Sequence, residues 1–281
     1  MTSNRAFVMG HPIAHSRSPM LHTYWLERYG IEGSYERLDI APEALDGFFA
    51  GFREAGWIGG NVTVPHKMAV IPHLDGIDAE ARAMGAVNTI WWKDGALMGG
   101  NTDSLGFLGN LDECAPGWDA SAGRAVILGA GGATRAAIHG LTSRGLDVAI
   151  CNRTVAKAEA LAGQFGKRVT AHGLDAVGAL LADADLLVNT TSLGMIGQPP
   201  LEIDLATLKA GAVVHDVVYV PLETGLLKQA KARGCRTVDG LGMLLHQGVD
   251  GFRRWFGQTP EITQDLRALL VDDIRAKTPG A

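Results

Sequence analysis

An α/β architecture in two domains is the fold class that this sequence predicts, and three observations predict it. Short apolar runs alternate with segments of helical period along the whole chain, the pattern of strands and their covering helices. Near residue 105 the pattern changes, and a βαβ series of the dinucleotide-binding type takes over. The length, 281 residues, is long for one hydrophobic core and comfortable for two.

In chain order, AFVMG is the first strand and Ser18–Pro19 a helix start, with Ser18 as N-cap and Pro19 as first helical residue. SYERLDI is a strand in which Tyr35, Leu38 and Ile40 alternate only in part. From Pro42 to Ala55, the spacing of Leu45, Phe48, Phe49 and Phe52 predicts one amphipathic helix. NVTV is the third strand, with Asn61 and Thr63 opposite Val62 and Val64. Pro65 then begins a helix and places Lys67 in its first turn, at the positive end of the helix dipole. AVNTIWW with ALMGG is a fourth region that contains a hairpin.

SLGFLGNLDEC is a connecting helix and PGWDASAG a loop. RAVILGAGGATRAAIHGLTSRG reads as buried strand, glycine turn and helix, and DVAICN as the next strand. Thr154 starts a helix with Val155, Ala158, Leu161, Ala162 and Phe165 on one face, and RVTAH, DLLVNT and AVVHDVV are further strands. Thr259–Pro260 supplies the N-cap and first residue of a closing helix whose face is Ile262, Leu266, Leu269 and Leu270. The KTPGA tail is the one stretch read as disordered. The expected domains are residues 1–104, to which 250–281 returns, and residues 105–249.

Composition narrows the function. With 47% hydrophobic and 20% charged residues, the chain reads as soluble and globular. A net charge of −5 gives no general attraction to nucleic acid or to an anionic membrane, so an anionic ligand would have to be held by a few local groups. Cys114, Cys151 and Cys235 are far apart and without CxxC spacing, which fits a reducing compartment and neither disulfides nor zinc. No metal site is expected, since Pro12 separates His11 from His15 and no HExxH occurs. The opening residues hold no long apolar run, and none elsewhere is long enough to span a bilayer, so a cytoplasmic location is expected. The oligomeric state stays open, a homodimer included.

GAGGAT at 129–134 follows a strand and opens a helix, the context that a dinucleotide fingerprint requires. Gly129 allows the tight turn, while Gly131 and Gly132 let a pyrophosphate approach the backbone, with Ala130 and Ala133 completing the stretch. Thr134 stands where strict GxGxxG has glycine. At the end of the next strand, an NAD site wants a carboxylate for the ribose hydroxyls. This chain has Asn152, Arg153 and Thr154 there, with Lys157 one turn on, a set that suits a 2′-phosphate; NADP is expected over NAD.

Outside that fold, Ser16 and Ser18 flank a helix N-terminus where a carboxylate can dock. Lys67 sits poorly for an ordinary first-turn residue, which points to a role. GAVNT at 85–89 and GNTDSLGF at 100–107 form a third cluster, in which Asp103 taken alone reads as a helix cap. Gln247 taken alone is an exposed helical glutamine, with Met243 four residues earlier on the same face.

Together these motifs resemble the shikimate dehydrogenase family: GxPxxHSxSPxxH, NVTVPxK, GAVNT, GxNTDxxGF, GAGGA, NRT, DxxYxPxxT and GxxMLxxQ appear in the family's order between about residues 5 and 275. The resemblance implies an N-terminal α/β substrate domain, a Rossmann-like NADP-binding domain and an active site in the cleft between them. It implies reversible NADPH-dependent reduction of 3-dehydroshikimate to shikimate. By motif, Ser16, Ser18 and Thr63 would hold the substrate carboxylate, and Asn88, Asp103 and Gln247 its ring hydroxyls, with Asn61 and Tyr219 in support. Lys67 would be the general acid/base, paired with Asp103. Met243 would line the nicotinamide, and Asn189, Thr190, Thr191 and Ser192 would lie near the cofactor. Thr23 and Ser104 depart from the family's usual asparagine and glycine. The rival readings are an NAD-using quinate/shikimate dehydrogenase, which wants an acid near 152–153, and a non-catalytic dinucleotide sensor, which would have lost the Lys67–Asp103 pair.

Overall fold

Residues 4–121 and 123–277 are described in the computed structural model; beyond Lys277, the expected disordered tail lies outside them. Two compact units divide the chain. One runs to Asp103 and takes in Gln247–Leu270; the other takes in Ser104–His246 and the chain from Val271 onward.

The first unit begins with β1 (Asn4–Gly10), α1 (Ser18–Tyr29), β2 (Gly33–Asp39), α2 (Leu45–Ala50) and β3 (Trp57–Val62). β4 (Gly76–Ile77), α3 (Ala79–Met84), β5 (Thr89–Lys93) and β6 (Ala96–Gly100) follow. One sheet forms in the order β2-β1-β3-β5-β6-β4. β1 pairs in parallel with β2 and β3, whereas β5 is antiparallel to β3 and β6, so the expected hairpin lies inside a mixed sheet. Alternation along β1 sends Phe7 and Met9 into one core, with Phe52, Val62 and Ile90, and Ala6 and Val8 into another, with Tyr35 and Trp255.

The second unit is built on α4 (Asp103–Cys114), whose first residue closes the first unit's segment, then β7 (Arg124–Leu128), α5 (Gly132–Ser143), β8 (Asp147–Cys151) and α6 (Val155–Phe165). β9 (Val169–His172), α7 (Val177–Leu181), β10 (Leu186–Asn189), β11 (Val213–Asp216), α8 (Gly225–Ala232) and β12 (Arg236–Val238) complete it. Its sheet runs β12-β11-β10-β7-β8-β9, parallel throughout. Both faces are covered: Ala125 and Ile127 of β7 enter one core and Val126 and Leu128 the other, which explains the continuous apolar run RAVIL. The chain leaves β7 toward β8 on one side and returns to β10 on the other. This is the switch point where open α/β sheets bind ligands. α9 (Leu241–Phe256) and α10 (Gln264–Ala276) close the chain. Among the described residues no helix is long and apolar enough to cross a membrane.

Five local expectations need correction. Ser18 is the first helical residue of α1 rather than its cap; Arg17 holds that position, and the Ser16 hydroxyl accepts from Ser18 N at 3.3 Å. The helix expected over 42–55 is a short 3-10 turn followed by α2, which ends at Ala50 with Gly51 as its C-cap. Alternation fails after Val62, since Val64 is 67% exposed. No helix starts at Pro65, because the carbonyls that it would use are taken from outside: His11 N donates to Val64 O at 3.0 Å and Val87 N to Lys67 O at 2.7 Å. Thr259–Pro260 does not start the closing helix either. Trp25 Nε1 donates to Glu261 O at 3.0 Å and Glu261 N to the Tyr29 hydroxyl at 3.0 Å, so α10 waits for Thr263, whose hydroxyl accepts from Leu266 N at 3.2 Å.

Candidate functional site

In the first unit the turn after β3 carries Lys67 to the start of α4, where its ammonium donates to Asp103 Oδ2. Both side chains are largely shielded, 22% and 12% exposed, so the pair is worth more than a surface contact. Asp103 Oδ1 accepts from Asn88 Nδ2 at 2.8 Å, and Asp103 N donates to Asn101 Oδ1 at 2.9 Å. Asn88 is saturated: its Oδ1 accepts from Thr102 N at 2.9 Å and from the Thr89 hydroxyl at 2.8 Å, and its Nδ2 also reaches Thr102 Oγ1 at 3.0 Å. Asn61 donates to Asn88 O at 3.1 Å and Thr89 Oγ1 at 3.2 Å and accepts from the Tyr35 hydroxyl at 2.5 Å. The geometry thus brings Lys67, Asp103, Asn88 and Asn61 into one network.

The other expected substrate residues are placed as follows. Ser18 is buried, Ser16 half-buried, and Arg37 holds the Ser16 carbonyl with Nη2 at 2.7 Å. Thr63 is half-buried beside Gly10, where a Cβ would come within 2.6 Å of its methyl, so only glycine lets the two segments meet. Tyr219 lies on the segment after β11, in the second unit, and Gln247 opens the part of α9 assigned to the first. Motif reading left Tyr35, Thr89, Asn101 and Thr102 without a role. The last three stand inside quoted motifs, whereas Tyr35 carries no local signal. Burial pushes the Tyr35 phenol well above its usual 10, and it pushes neighbouring His22 down to about 3, with Asn61 weakly opposing.

In the second unit the turn between β7 and α5 is a cradle. Gly129 has φ +111°, and a Cβ there would lie 2.8 Å from Thr190 Oγ1, so two constraints demand glycine. Gly131 and Gly132 are exposed with open space where a Cβ would stand, and the first turn of α5 has no acidic residue. Thr134, the departure from strict GxGxxG, is fully buried. Its hydroxyl accepts from Gly131 N at 2.9 Å and lies 2.7 Å from Thr190 Oγ1, which donates to Leu128 O at 2.7 Å. Ala130 is half-buried and packs on the core, and Ala133 is half-buried in the first turn of α5.

Asn189 is fully buried and ties the loop after β10 together. It donates to Asp216 Oδ1 at 2.8 Å and accepts from Thr191 N at 3.0 Å. It and the Thr190 hydroxyl are therefore spent on the fold, while Ser192 is exposed. Met243 packs partly against the second unit's core. At the end of β8, Arg153, Thr154 and Lys157 are exposed, and neither base has an ion pair among the described residues. Thr154 occupies the N-cap of α6 without using its side chain as a cap. Asn152 Nδ2 donates to Thr154 O at 2.8 Å, shaping the turn. A cavity of about 760 Å³ opens here, lined by Gly129, Asn152, Arg153, Thr191 and apolar Val177 and Ile203. An open helix N-terminus, unspent cations and an apolar slot fit a phosphorylated dinucleotide.

Residues 8–90 match the model of the shikimate dehydrogenase substrate binding domain, 115–196 that of shikimate/quinate 5-dehydrogenase, and 240–270 that of the shikimate 5'-dehydrogenase C-terminal domain. A shikimate dehydrogenase (NADP(+)) of Azorhizobium caulinodans is 58% identical, covering 97% of this chain and 98% of its own. The shikimate 5-dehydrogenase of Thermus thermophilus, solved with NADP(H) and shikimate, is 39% identical, with TM-score 0.84 and coverage of 97% and 98%. Quinate dehydrogenase from Corynebacterium glutamicum, solved with NAD, is 32% identical, with TM-score 0.86 and coverage of 95% and 99%.

Proposed function

We infer the function from a plain premise: this chain belongs to the shikimate dehydrogenase family. It is an oxidoreductase that interconverts shikimate and 3-dehydroshikimate with NADP, a step of aromatic amino-acid biosynthesis. The first unit takes the substrate and the second takes the dinucleotide. The observation that carries the residue-level reading is the shielded Lys67–Asp103 pair, oriented by Asn88.

The cofactor, when bound, supplies or accepts the hydride. Lys67 holds a proton for the carbonyl oxygen, where negative charge builds as the carbon is reduced, and takes it back in the other direction. Asp103 keeps the ammonium aimed and accepts from a ring hydroxyl. Ser16, Ser18 and Thr63 bind the carboxylate and Gln247 a ring hydroxyl; Asn88, whose amide is already fully bonded inside the protein, acts on the ring through Asp103, and Asn61 and Tyr219 support them. Gly129, Ala130, Gly131, Gly132 and Ala133 cradle the pyrophosphate, while Asn152, Arg153, Thr154 and Lys157 surround the 2′-phosphate. Thr190, Thr191 and Ser192 flank the cofactor on the loop that Asn189 holds, and Met243 lines the nicotinamide. A cytoplasmic location accords with three cysteines of which none is in a disulfide.

Lys67→Ala is expected to lower kcat by roughly 10²–10⁴-fold, the range for acid–base groups, with less change in KM for shikimate. Steady-state rates with a deuterium isotope effect on hydride transfer check this. Parent-like kcat with chemistry rate-limiting would remove Lys67 from the reaction.

A further inference from the structure

We propose that Tyr35 and Thr89 are positioning residues, which set the aim of the Lys67–Asp103 pair through one directed chain of hydrogen bonds. The proposal deepens the reading of that pair as the acid–base machinery and rests on it. The chain runs from the Tyr35 hydroxyl to Asn61 Oδ1 at 2.5 Å, from Asn61 Nδ2 to Thr89 Oγ1 at 3.2 Å, and from the Thr89 hydroxyl to Asn88 Oδ1 at 2.8 Å. Asn88 Nδ2 passes it to Asp103 Oδ1 at 2.8 Å, and the other carboxylate oxygen receives Lys67.

The direction of every link is forced by backbone groups. Asn61 Nδ2 faces the Asn88 carbonyl, which can only accept, so its oxygen must face Tyr35. Asn88 Oδ1 faces Thr102 N, which can only donate, so its nitrogen must face the carboxylate. Thr89, receiving from Asn61, has its own proton left for Asn88 alone. Tyr35, Asn61, Asn88 and Thr89 are 6%, 5%, 2% and 0% exposed, so water does not replace a lost partner.

The far end is held as firmly. The His22 ring stacks on Tyr35 at 4.1 Å and 19°, and the Trp255 ring stands 5.8 Å away, leaving the phenol one seat. Burial keeps Tyr35 protonated and His22 neutral, which preserves the donor across the working pH range.

A double-mutant cycle on the full-length enzyme tests this. Thr89→Val is expected to lower kcat by up to about 100-fold, the scale of a misplacement of about 1 Å, with KM for NADP unchanged. Thr89→Ser, which keeps the hydroxyl, is expected to recover most of it. In a Lys67→Ala background, Thr89→Val is expected to add little, because it acts through the pair. Thermal unfolding checks each variant, and Tyr35→Phe, which removes one oxygen, goes through the same cycle if Thr89→Val does not fold. An equal loss in both backgrounds, or parent-like kcat in folded Thr89→Val and Tyr35→Phe, overturns the proposal and leaves the pair standing. Parent-like kcat in Lys67→Ala overturns the pair and the proposal together.

Discussion

The Lys67–Asp103 region and the end of β8 are built on opposite terms. Around Asn88 nearly every polar atom already has its partner inside the protein, whereas Arg153, Lys157 and the Thr154 hydroxyl are left unspent at the surface. The difference follows from the tasks. A proton must be delivered along one line, so the group that holds it is aimed in advance by buried bonds. A dianionic phosphate needs charge and donors that are free when it arrives. Stability and chemistry are therefore coupled in the first region and separable in the second.

Asn88→Ala is expected to break that contrast most severely. It strips partners from Thr102 N, Thr89 and Asp103 together, and at about 1–3 kcal/mol for each buried group left unpaired, chemical denaturation should show a loss of at least about 3 kcal/mol. The two units share one liability, a fully buried neutral histidine in each: His22 and His215, both pushed down to about 3 by burial. An unfolded histidine takes up a proton below about 6.5, whereas the folded one does not. Stability is then full above that pH and falls toward pH 3, by about 1.4 kcal/mol per pH unit for each. Unfolding curves between these limits measure the slope, and His22→Phe should halve it. A flat profile would mean that these rings are hydrated in solution.

In the second region, Arg153→Ala is expected to cost about 1.5–3 kcal/mol of NADPH affinity, as for hydrogen bonds to charged groups, with NADH binding and melting temperature nearly unchanged. Calorimetric titration with both cofactors decides it; equal losses would show that Arg153 does not read the 2′-phosphate. Gly131→Ala meets nothing in the fold, so stability should hold while dinucleotide affinity drops by about 1–3 kcal/mol, the usual cost of overpacking. Unchanged affinity would move the pyrophosphate away from that backbone.

The sequence was most legible where structure is local. The β7–α5 and β8–α6 units follow from apolar runs, a glycine turn and a helical period, and they appear as expected. It misled where distant partners decide. Pro65 and Pro260 are good helix starters, yet His11, Val87, Trp25 and Tyr29 capture the backbone groups that a helix would have used. β4, α3 and β12 are too short to show a period. In the candidate site, motif order supplied Lys67, Asn88 and Asp103, but Tyr35 matters only through Asn61, 26 residues away, and no local pattern announces that. Thr134 looked like a flaw in the glycine fingerprint and is the residue that locks the turn to Thr190.

Initial rates of shikimate and quinate oxidation, each with NADP⁺ and with NAD⁺, test the central claim most directly. Turnover concentrated in the shikimate–NADP⁺ pair is the predicted result. Comparable turnover of quinate with NAD⁺ would contradict it and would withdraw the assignment of Arg153 to the 2′-phosphate.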